Sequence, residues 1–578
     1  LHIPEKLLVR EFIWCEVNNR FYKHLYQYAD DRAEGPINVL LKAQSEQTNM
    51  ILYLMNLFSI SKPAFDEEEV RYMDEPHSLI TEVIEREKEL TLIYESYPYF
   101  LANFPNLSPL IHRLRYLQHE KLNELNKLKS QFQKFNHLET NERIDRDYWL
   151  EEGYELEKIA SGFTFPTSIA FDDEGELFVG ESGYSYGPAY AKARILNIRK
   201  DGQIQEIASG FEGPLTGIAW YKGYFYVITG GFDGKVYRVS KDGQKKVLIS
   251  GLRSGADHFT SEIVFGPDNK MYFAVGTVTN SGVVGVDNEY YGWLGQRPTF
   301  HDIPARDLKL VGQNFVSDNP LTKINPNDKV STGAFHPFGT ASRRGEVVKG
   351  QLLANGVLYR ANPDGSNLEI VADGFRNVFG LGFSPEGKLF ATNNGFDFRG
   401  SRPIEGDWDP LYEIRPGWYG WPDFASGLPV TLPYFKPPGH PQPQFLLEQH
   451  PPLAAQPLIR FKPHAATQKF DFSKNERFGR RGEMFLAQIG SAPPITTGEQ
   501  KPSGYRVVRA MPYTGQVRDF LVNLKPGKGG KGPERPVAVR FSPDGNFLYI
   551  VDFGLLGATA TTAIPYADTG AIWRVKRK

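Results

Sequence analysis

A short apolar run, a tight turn and a second short apolar run recur along most of this chain, and few folds can accommodate that repeat. Ile169-Ala170-Phe171 precedes Asp173-Glu174-Gly175 and Leu177-Phe178-Val179, Ile218-Ala219-Trp220 precedes Gly223 and Phe225-Tyr226-Val227, and Ile263-Val264-Phe265 precedes Pro267-Asp268 and Met271-Tyr272-Phe273. The pattern returns at Leu381-Gly382-Phe383, at Phe470-Asp471-Phe472 and at Val539-Arg540-Phe541, each followed by a second run. Each copy reads as two strands joined by a turn. A lone sheet leaves its faces and edges unburied, so about six such units are expected to stack around a channel as a six-bladed β-propeller. The final run, 570–575, is expected to share a blade with the strand near 156–159 and close the ring.

The beginning of the chain is different material. Val9, Ile13, Val17, Phe21 and Leu25 recur every fourth position, as on one apolar face of a long helix. Three further helices are expected: one opening at Pro36, one starting near Pro76 and ending before Pro98, and one capped at Ser108-Pro109. Together they predict an antiparallel helical bundle with short connections over 1–136, a linker over 137–153, and the propeller over 154–578. Glu85, Glu95, His112, His119 and Glu120 raise the question of a ferritin-like metal site, but Pro109 and Tyr116 stand where Glu-x-x-His would need a glutamate. The bundle is therefore read as a packing, oligomerisation or docking unit.

The chain has 578 residues, too many for one compact core, and its 56 Gly and 41 Pro suit a loop-rich β protein. A formal net charge of −2 favours neither nucleic acid nor an anionic membrane. Cys15 is the only cysteine, which excludes an internal disulfide and a Cys-based haem or zinc site, so electrons taken from a substrate would leave through a separate acceptor. No apolar run is long enough to span a membrane, and no signal-peptide layout is visible after Leu1, which suggests a cytoplasmic or surface-associated protein if the chain is complete.

A propeller gathers the loops before its innermost strands around one channel mouth, so site residues should precede inner strands. His258 stands before 263–265, Arg376-Asn377 before 381–383 and His464 before 470–472. A histidine can take a hydroxyl proton and a guanidinium can stabilise developing negative charge, a pairing suited to alcohol oxidation by hydride loss. The long segment 278–353, with Tyr290-Tyr291-Gly292-Trp293, His301 and His336, is expected to roof the mouth.

His258 with Ile263-Val264-Phe265-Gly266-Pro267-Asp268, and Gly374-Phe375-Arg376-Asn377 with Gly380-Leu381-Gly382-Phe383, resemble the glucose/sorbosone dehydrogenase family of quinoprotein sugar dehydrogenases. Asn393-Asn394-Gly395, Arg399-Gly400-Ser401-Arg402-Pro403 and Gly417-Trp418-Tyr419-Gly420-Trp421-Pro422-Asp423 are similar to its sorbosone branch. The resemblance covers roughly 154–578. It implies pyrroloquinoline quinone (PQQ) and calcium as cofactors, an aldose or related hydroxy-aldehyde as substrate, His258 as general base and Arg376 polarising the quinone. It further implies Asn377, Asn394 and His464 near the cofactor, calcium on the carbonyls of Gly395 and Phe396, and work outside the cytoplasm. Three positions depart from the family: Thr277 replaces the carboxylate that orients the base, and Phe379 and Phe396 replace a polar residue and a proline. These departures leave two alternatives, a propeller that has lost its chemistry and serves as a scaffold, and a calcium-dependent lactonase.

Overall fold

The computed structural model describes residues 2–26, 33–63, 76–132, 146–184, 191–322, 328–493, 502–559 and 563–578. The chain forms two compact units, residues 1–146 with 511–516, and residues 147–510 with 517–578.

The first unit contains helices α1 (His2–Tyr26), α2 (Glu34–Leu57), α3 (Pro76–Phe100) and α4 (Ser108–Phe132). Their apolar stripes meet in a core that includes Val17, Phe21, Leu25, Ile37, Leu40, Leu79, Val83, Leu125 and Leu128. Helix α3 runs through Pro98 rather than ending before it. Proline leaves the carbonyl four residues back without an amide partner, and here Arg115 Nε donates to the Tyr94 carbonyl at 3.2 Å.

Direction also differs from a simple up-and-down bundle. Asn18 meets Glu87 and Glu11 meets Tyr97, so α1 and α3 run antiparallel. Lys121 meets Glu87 while Arg115 reaches Tyr94, and Lys121 meets Gln44 while Gln118 meets Gln47, so α4 is antiparallel to both α3 and α2. Helices α2 and α3 therefore point the same way, so the end of α2 and the start of α3 lie at opposite ends of the bundle. That is the one-crossover topology of ferritin-like bundles.

The second unit is a six-bladed propeller. Its inner strands are Pro166–Phe171, Leu215–Tyr221, Val264–Phe265, Val378–Phe383, Thr467–Phe472 and Pro536–Phe541, which define blades 1 to 6 in chain order. Every repeat recognised in the sequence supplies one of them at the edge of its sheet, paired antiparallel with the next strand. Blade 6 is completed by Tyr154–Phe163 pairing with Gly570–Arg577, so the N-terminal strand of this unit closes the ring next to the last strand of the chain. Tyr148–Leu150, within the stretch expected to be linker, pairs with Gln516–Asn523 as a fifth strand of blade 5.

Five inner strands carry a register shift near their start, among them Val378/Gly380 just after Arg376-Asn377. A bulge there re-aims the preceding side chains. Gly380 permits the close approach of blade 5, because a Cβ at that position would lie 2.3 Å from the Gln468 carbonyl oxygen.

Charged side chains cross the channel between its mouths. Lys469 of blade 5 donates to the carbonyls of Thr167 and Thr216 in blades 1 and 2, and Arg540 of blade 6 pairs with Glu262, ahead of the inner strand of blade 3, at 2.9 Å. Burial pushes the Lys469 ammonium down to about 8. A cavity of about 790 Å³ opens where the inner strands end, lined by Ala170, Ala219, Val264, Gly382, Asp471 and Arg540. It contains none of the candidate site residues, His258, Arg376, Asn377, Asn394, Gly395, Phe396 and His464.

Candidate active site

His258 is buried in the loop before the inner strand of blade 3. Its Nδ1 lies 3.0 Å from both the carbonyl oxygen and Oγ1 of Thr277. The Thr277 hydroxyl donates its own proton to the Thr279 carbonyl at 2.7 Å. Both partners of Nδ1 are therefore acceptors, so Nδ1 carries the ring proton and Nε2 carries the lone pair. Thr277 thus orients the imidazole without a carboxylate. Its amide also donates to the Arg376 carbonyl at 2.8 Å, tying the His258 loop to the loop of blade 4. Gly276 allows this packing, since a Cβ there would stand 2.5 Å from His258 Cβ. Burial, together with the Arg376 and Arg399 guanidiniums, holds the His258 pKa well below the ordinary histidine value, so the ring is neutral at neutral pH.

Arg376 is buried and held on two sides. Nε donates to the carbonyl and Oδ1 of Asn280 at 3.2 and 3.1 Å, and Nη2 donates to Asp397 Oδ2 at 2.7 Å. Nη1 has only a 3.5 Å approach to the Asn394 carbonyl, which leaves it the least committed donor. Its neighbour Asn377 donates from Nδ2 to Asn394 Oδ1 at 3.1 Å, and Asn394 Nδ2 donates to the Thr467 carbonyl at 3.0 Å. Asn377 Oδ1 is buried without a partner.

His464 stands at the start of blade 5 with its backbone in the left-handed region, φ 58°. A histidine in that conformation costs about 1 kcal/mol, the sort of local strain that collects at functional sites. Its Nδ1 lies 3.6 Å from Asp397 Oδ1, and its buried Nε2 has no partner. Burial works against its charged form, but Asp397 outweighs burial and raises the His464 pKa above the ordinary value. Burial likewise opposes the charge of Asp397, yet Arg376, His464 and Arg399 hold its carboxyl far below the usual range.

The loop that follows is anchored by two further carboxylates. The Gly395 amide donates to Asp409 Oδ1 at 3.0 Å and the Phe396 amide to Asp407 Oδ2 at 2.9 Å. Burial raises these acids to about 6 and about 7. The Phe396 side chain, which stands where the family has a proline, is buried beside Arg376, Asp407, Tyr412 and Phe424 inside blade 4. Phe379 is half-buried with the Lys469 ammonium 5.1 Å from its ring centroid.

The structure thus gathers His258, Arg376, Asn377, Asn394, His464 and the 395–396 loop into one connected set. Sequence reasoning missed the groups that hold it: Asn280, Asp397, and Arg399, whose Nη1 lies 2.6 Å from both Asp257 and Asp287. Part of the expected roof is fastening material. Trp293 Nε1 and Asn288 Nδ2 both donate to Asp257 Oδ1, and Arg399 lies 4.4 Å from the centroid of the Tyr291 ring. Tyr290 in the same segment is exposed. His301 is tied to the Thr299 carbonyl and His336 to Glu346.

No family model matches the chain. Among curated proteins it is 22% identical over 312 residues to quinoprotein glucose dehydrogenase B of Acinetobacter calcoaceticus, a match that spans 48% of this chain and 54% of that protein. The chain therefore spans about half the length of this curated relative. Solved structures with a similar course include the PQQ domain of pyranose dehydrogenase from Coprinopsis cinerea, at 14% identity, TM-score 0.45, and 75% and 98% of the two chains. PQQ-bound aldose sugar dehydrogenase from Streptomyces coelicolor gives 17% identity, TM-score 0.42, and 74% and 99% coverage.

Proposed function

We propose that the propeller is a PQQ- and calcium-dependent oxidoreductase that oxidises an aldose or related hydroxy-aldehyde and passes the electrons to a separate acceptor. The observation that carries this reading is the neutral, Nδ1-protonated His258, tied through Thr277 to Arg376. The similarity to a quinoprotein glucose dehydrogenase supports it.

The residues fit the cofactor's chemistry. PQQ is a planar tricarboxylate, and beside the Arg376 cation the site offers it the buried His464 Nε2, which lacks a partner and donates when the ring is protonated. The carbonyls of Gly395 and Phe396 would hold calcium, a hard cation that takes oxygen ligands. When bound, the quinone supplies the hydride acceptor. His258 Nε2 removes the substrate hydroxyl proton, while Nδ1 keeps its own proton, hydrogen-bonded to Thr277, throughout. Arg376 Nη1 is a donor fixed in place before the reaction, for negative charge that develops in the site. The 278–353 segment supplies Asn280, which with Asp397 keeps Arg376 from turning away.

Two outcomes follow. Thr277→Val keeps the carbonyl acceptor but loses the hydroxyl, and kcat is expected to fall about tenfold with little change in KM, the worth of one hydrogen bond; steady-state kinetics on an aldose checks this. His464 is charged below its raised pKa and neutral above it, so PQQ affinity should weaken as pH rises through that value. Calorimetric titration with PQQ in calcium buffer across pH 6 to 9 reads the change. Wild type should show the loss, and His464→Gln should bind more weakly at the low end with a flatter profile. No PQQ binding at any pH overturns the proposed function.

A further inference from the structure

The inner face of the helical bundle carries a second polar centre that is unrelated to the propeller's chemistry. Asn18 and Tyr22 of α1, Gln44 and Gln47 of α2, Glu87 of α3, and Gln118 and Lys121 of α4 are all buried and converge. The Lys121 ammonium donates to Gln44 Oε1 and Glu87 Oε1 at 2.9 Å each, and to Gln47 Oε1. Its three protons are thereby all used. Glu87 in turn accepts from Asn18 Nδ2 at 2.8 Å, from Tyr22 Oη and from Gln118 Nε2. Gln47 Nε2 closes the ring on Gln118 Oε1 at 2.9 Å.

The placement of these groups matches a known plan. Four-helix bundles that bind two metal ions take one carboxylate from each of two helices and a pair of ligands spaced i, i+3 from each of the other two. Here the single residues are Asn18 on α1 and Glu87 on α3, and the i, i+3 pairs are Gln44/Gln47 on α2 and Gln118/Lys121 on α4. The one-crossover topology is also that of the metal-binding bundles. The chemistry, however, does not fit metal. Amides stand where carboxylates and histidines would be, one carboxylate remains at the centre, and a lysine fills it. His112 and His119, the histidines that suggested a metal, are exposed on the outer face of α4.

We infer that this unit is a dimetal-type bundle in which the Lys121 ammonium has replaced the metal ions as the cation held by the inward-facing side chains. A single positive charge needs a single negative one, and Glu87 supplies it; the remaining ligand positions need only neutral oxygens, and glutamines supply those. A buried carboxylate without its cation is strongly unfavourable, so losing Lys121 should destabilise the bundle through the uncompensated Glu87.

The test uses the full chain. Purified from medium supplemented with iron and manganese, the wild type should carry no stoichiometric iron or manganese, and the Tm of the bundle should not respond to their removal by a chelator. Lys121→Ala should lower the Tm of the bundle by about 10 °C, and ethylammonium chloride should restore much of it where sodium chloride at equal strength does not. If the variant does not fold alone, refolding it with ethylammonium or with sodium makes the same comparison. In the charge-free pair Lys121→Met with Glu87→Gln, ethylammonium should have no effect beyond that of sodium. Stoichiometric iron or manganese in the wild type, an unchanged Tm in Lys121→Ala, or equal recovery with the two salts would overturn the inference.

Discussion

His258→Ala is expected to abolish sugar oxidation, with kcat down about 10²- to 10⁴-fold, the range set by losing a positioned general base, while PQQ binding stays close to wild type. The separation follows from geometry. His258 is held by Thr277 through Nδ1 and contributes no charge to the site, because burial and the two guanidiniums keep it neutral. Its removal deletes proton acceptance at Nε2 and leaves the Arg376, Asp397 and His464 cluster intact. The pH dependence has a definite sign. A base whose pKa is depressed stays active further into acid than an ordinary histidine, so the acidic limb of kcat should lie well below pH 6.5. The same depression affects folding: the unfolded chain binds a proton at this residue below about pH 6.5 and the folded chain does not, so the stability tied to His258 is lost as pH falls through that range. Stopped-flow and steady-state kinetics on the variant, with calorimetry for PQQ, check both parts.

Arg376→Ala should have the second large effect, of a different kind. The substitution removes the donor aimed at developing charge, worth about 10²- to 10³-fold in kcat, and it also strips Asp397 of a partner at 2.7 Å in a buried setting. Arg399 and His464 still neutralise Asp397, so the fold should survive with a loss of about 2–3 kcal/mol. PQQ affinity should fall along with kcat, which distinguishes this variant from His258→Ala. Arg376→Lys should not recover activity, because a single ammonium nitrogen lacks the span of the planar guanidinium fork and cannot reach Asn280 and Asp397 on two sides while presenting a donor at the Nη1 position.

The propeller was legible in the sequence because each inner strand is short, apolar and followed by a turn. Such a pattern has little meaning except as one blade of a ring. The residues just before those strands were legible for the same reason: His258, Arg376 and His464 occupy equivalent places in three blades. The groups that hold them were not. Asp397 lies just beyond the 395–396 loop, but nothing local marks it as the partner of Arg376 and His464. Arg399 joins Asp257 across more than a hundred positions, a pairing that only the closed ring creates. Tyr148–Leu150 was missed because a three-residue strand carries too few side chains to show alternation.

In the bundle, His112 and His119 are the residues that suggest a metal, and they lie on the outer face of α4. Glu11, Cys15, Asn18 and Tyr22 share the buried side of α1 with its apolar stripe, at spacings of four, three and four. Polar residues at core spacing were the available signal, and Gln44-x-x-Gln47 with Gln118-x-x-Lys121 repeats it at the i, i+3 interval. Glu11, buried to the point that its carboxyl is raised to about 8 and accepting from the Tyr97 hydroxyl, extends the same polar interior along α1.

The most direct test of the central claim is to load the purified chain with PQQ in calcium buffer, add an aldose and follow the quinone absorbance. The account predicts stoichiometric binding and sugar-dependent reduction of the bound quinone, with binding retained and reduction lost in His258→Ala. Bound PQQ that no aldose or hydroxy-aldehyde reduces, or a His258→Ala variant that reduces it as fast as wild type, would contradict it.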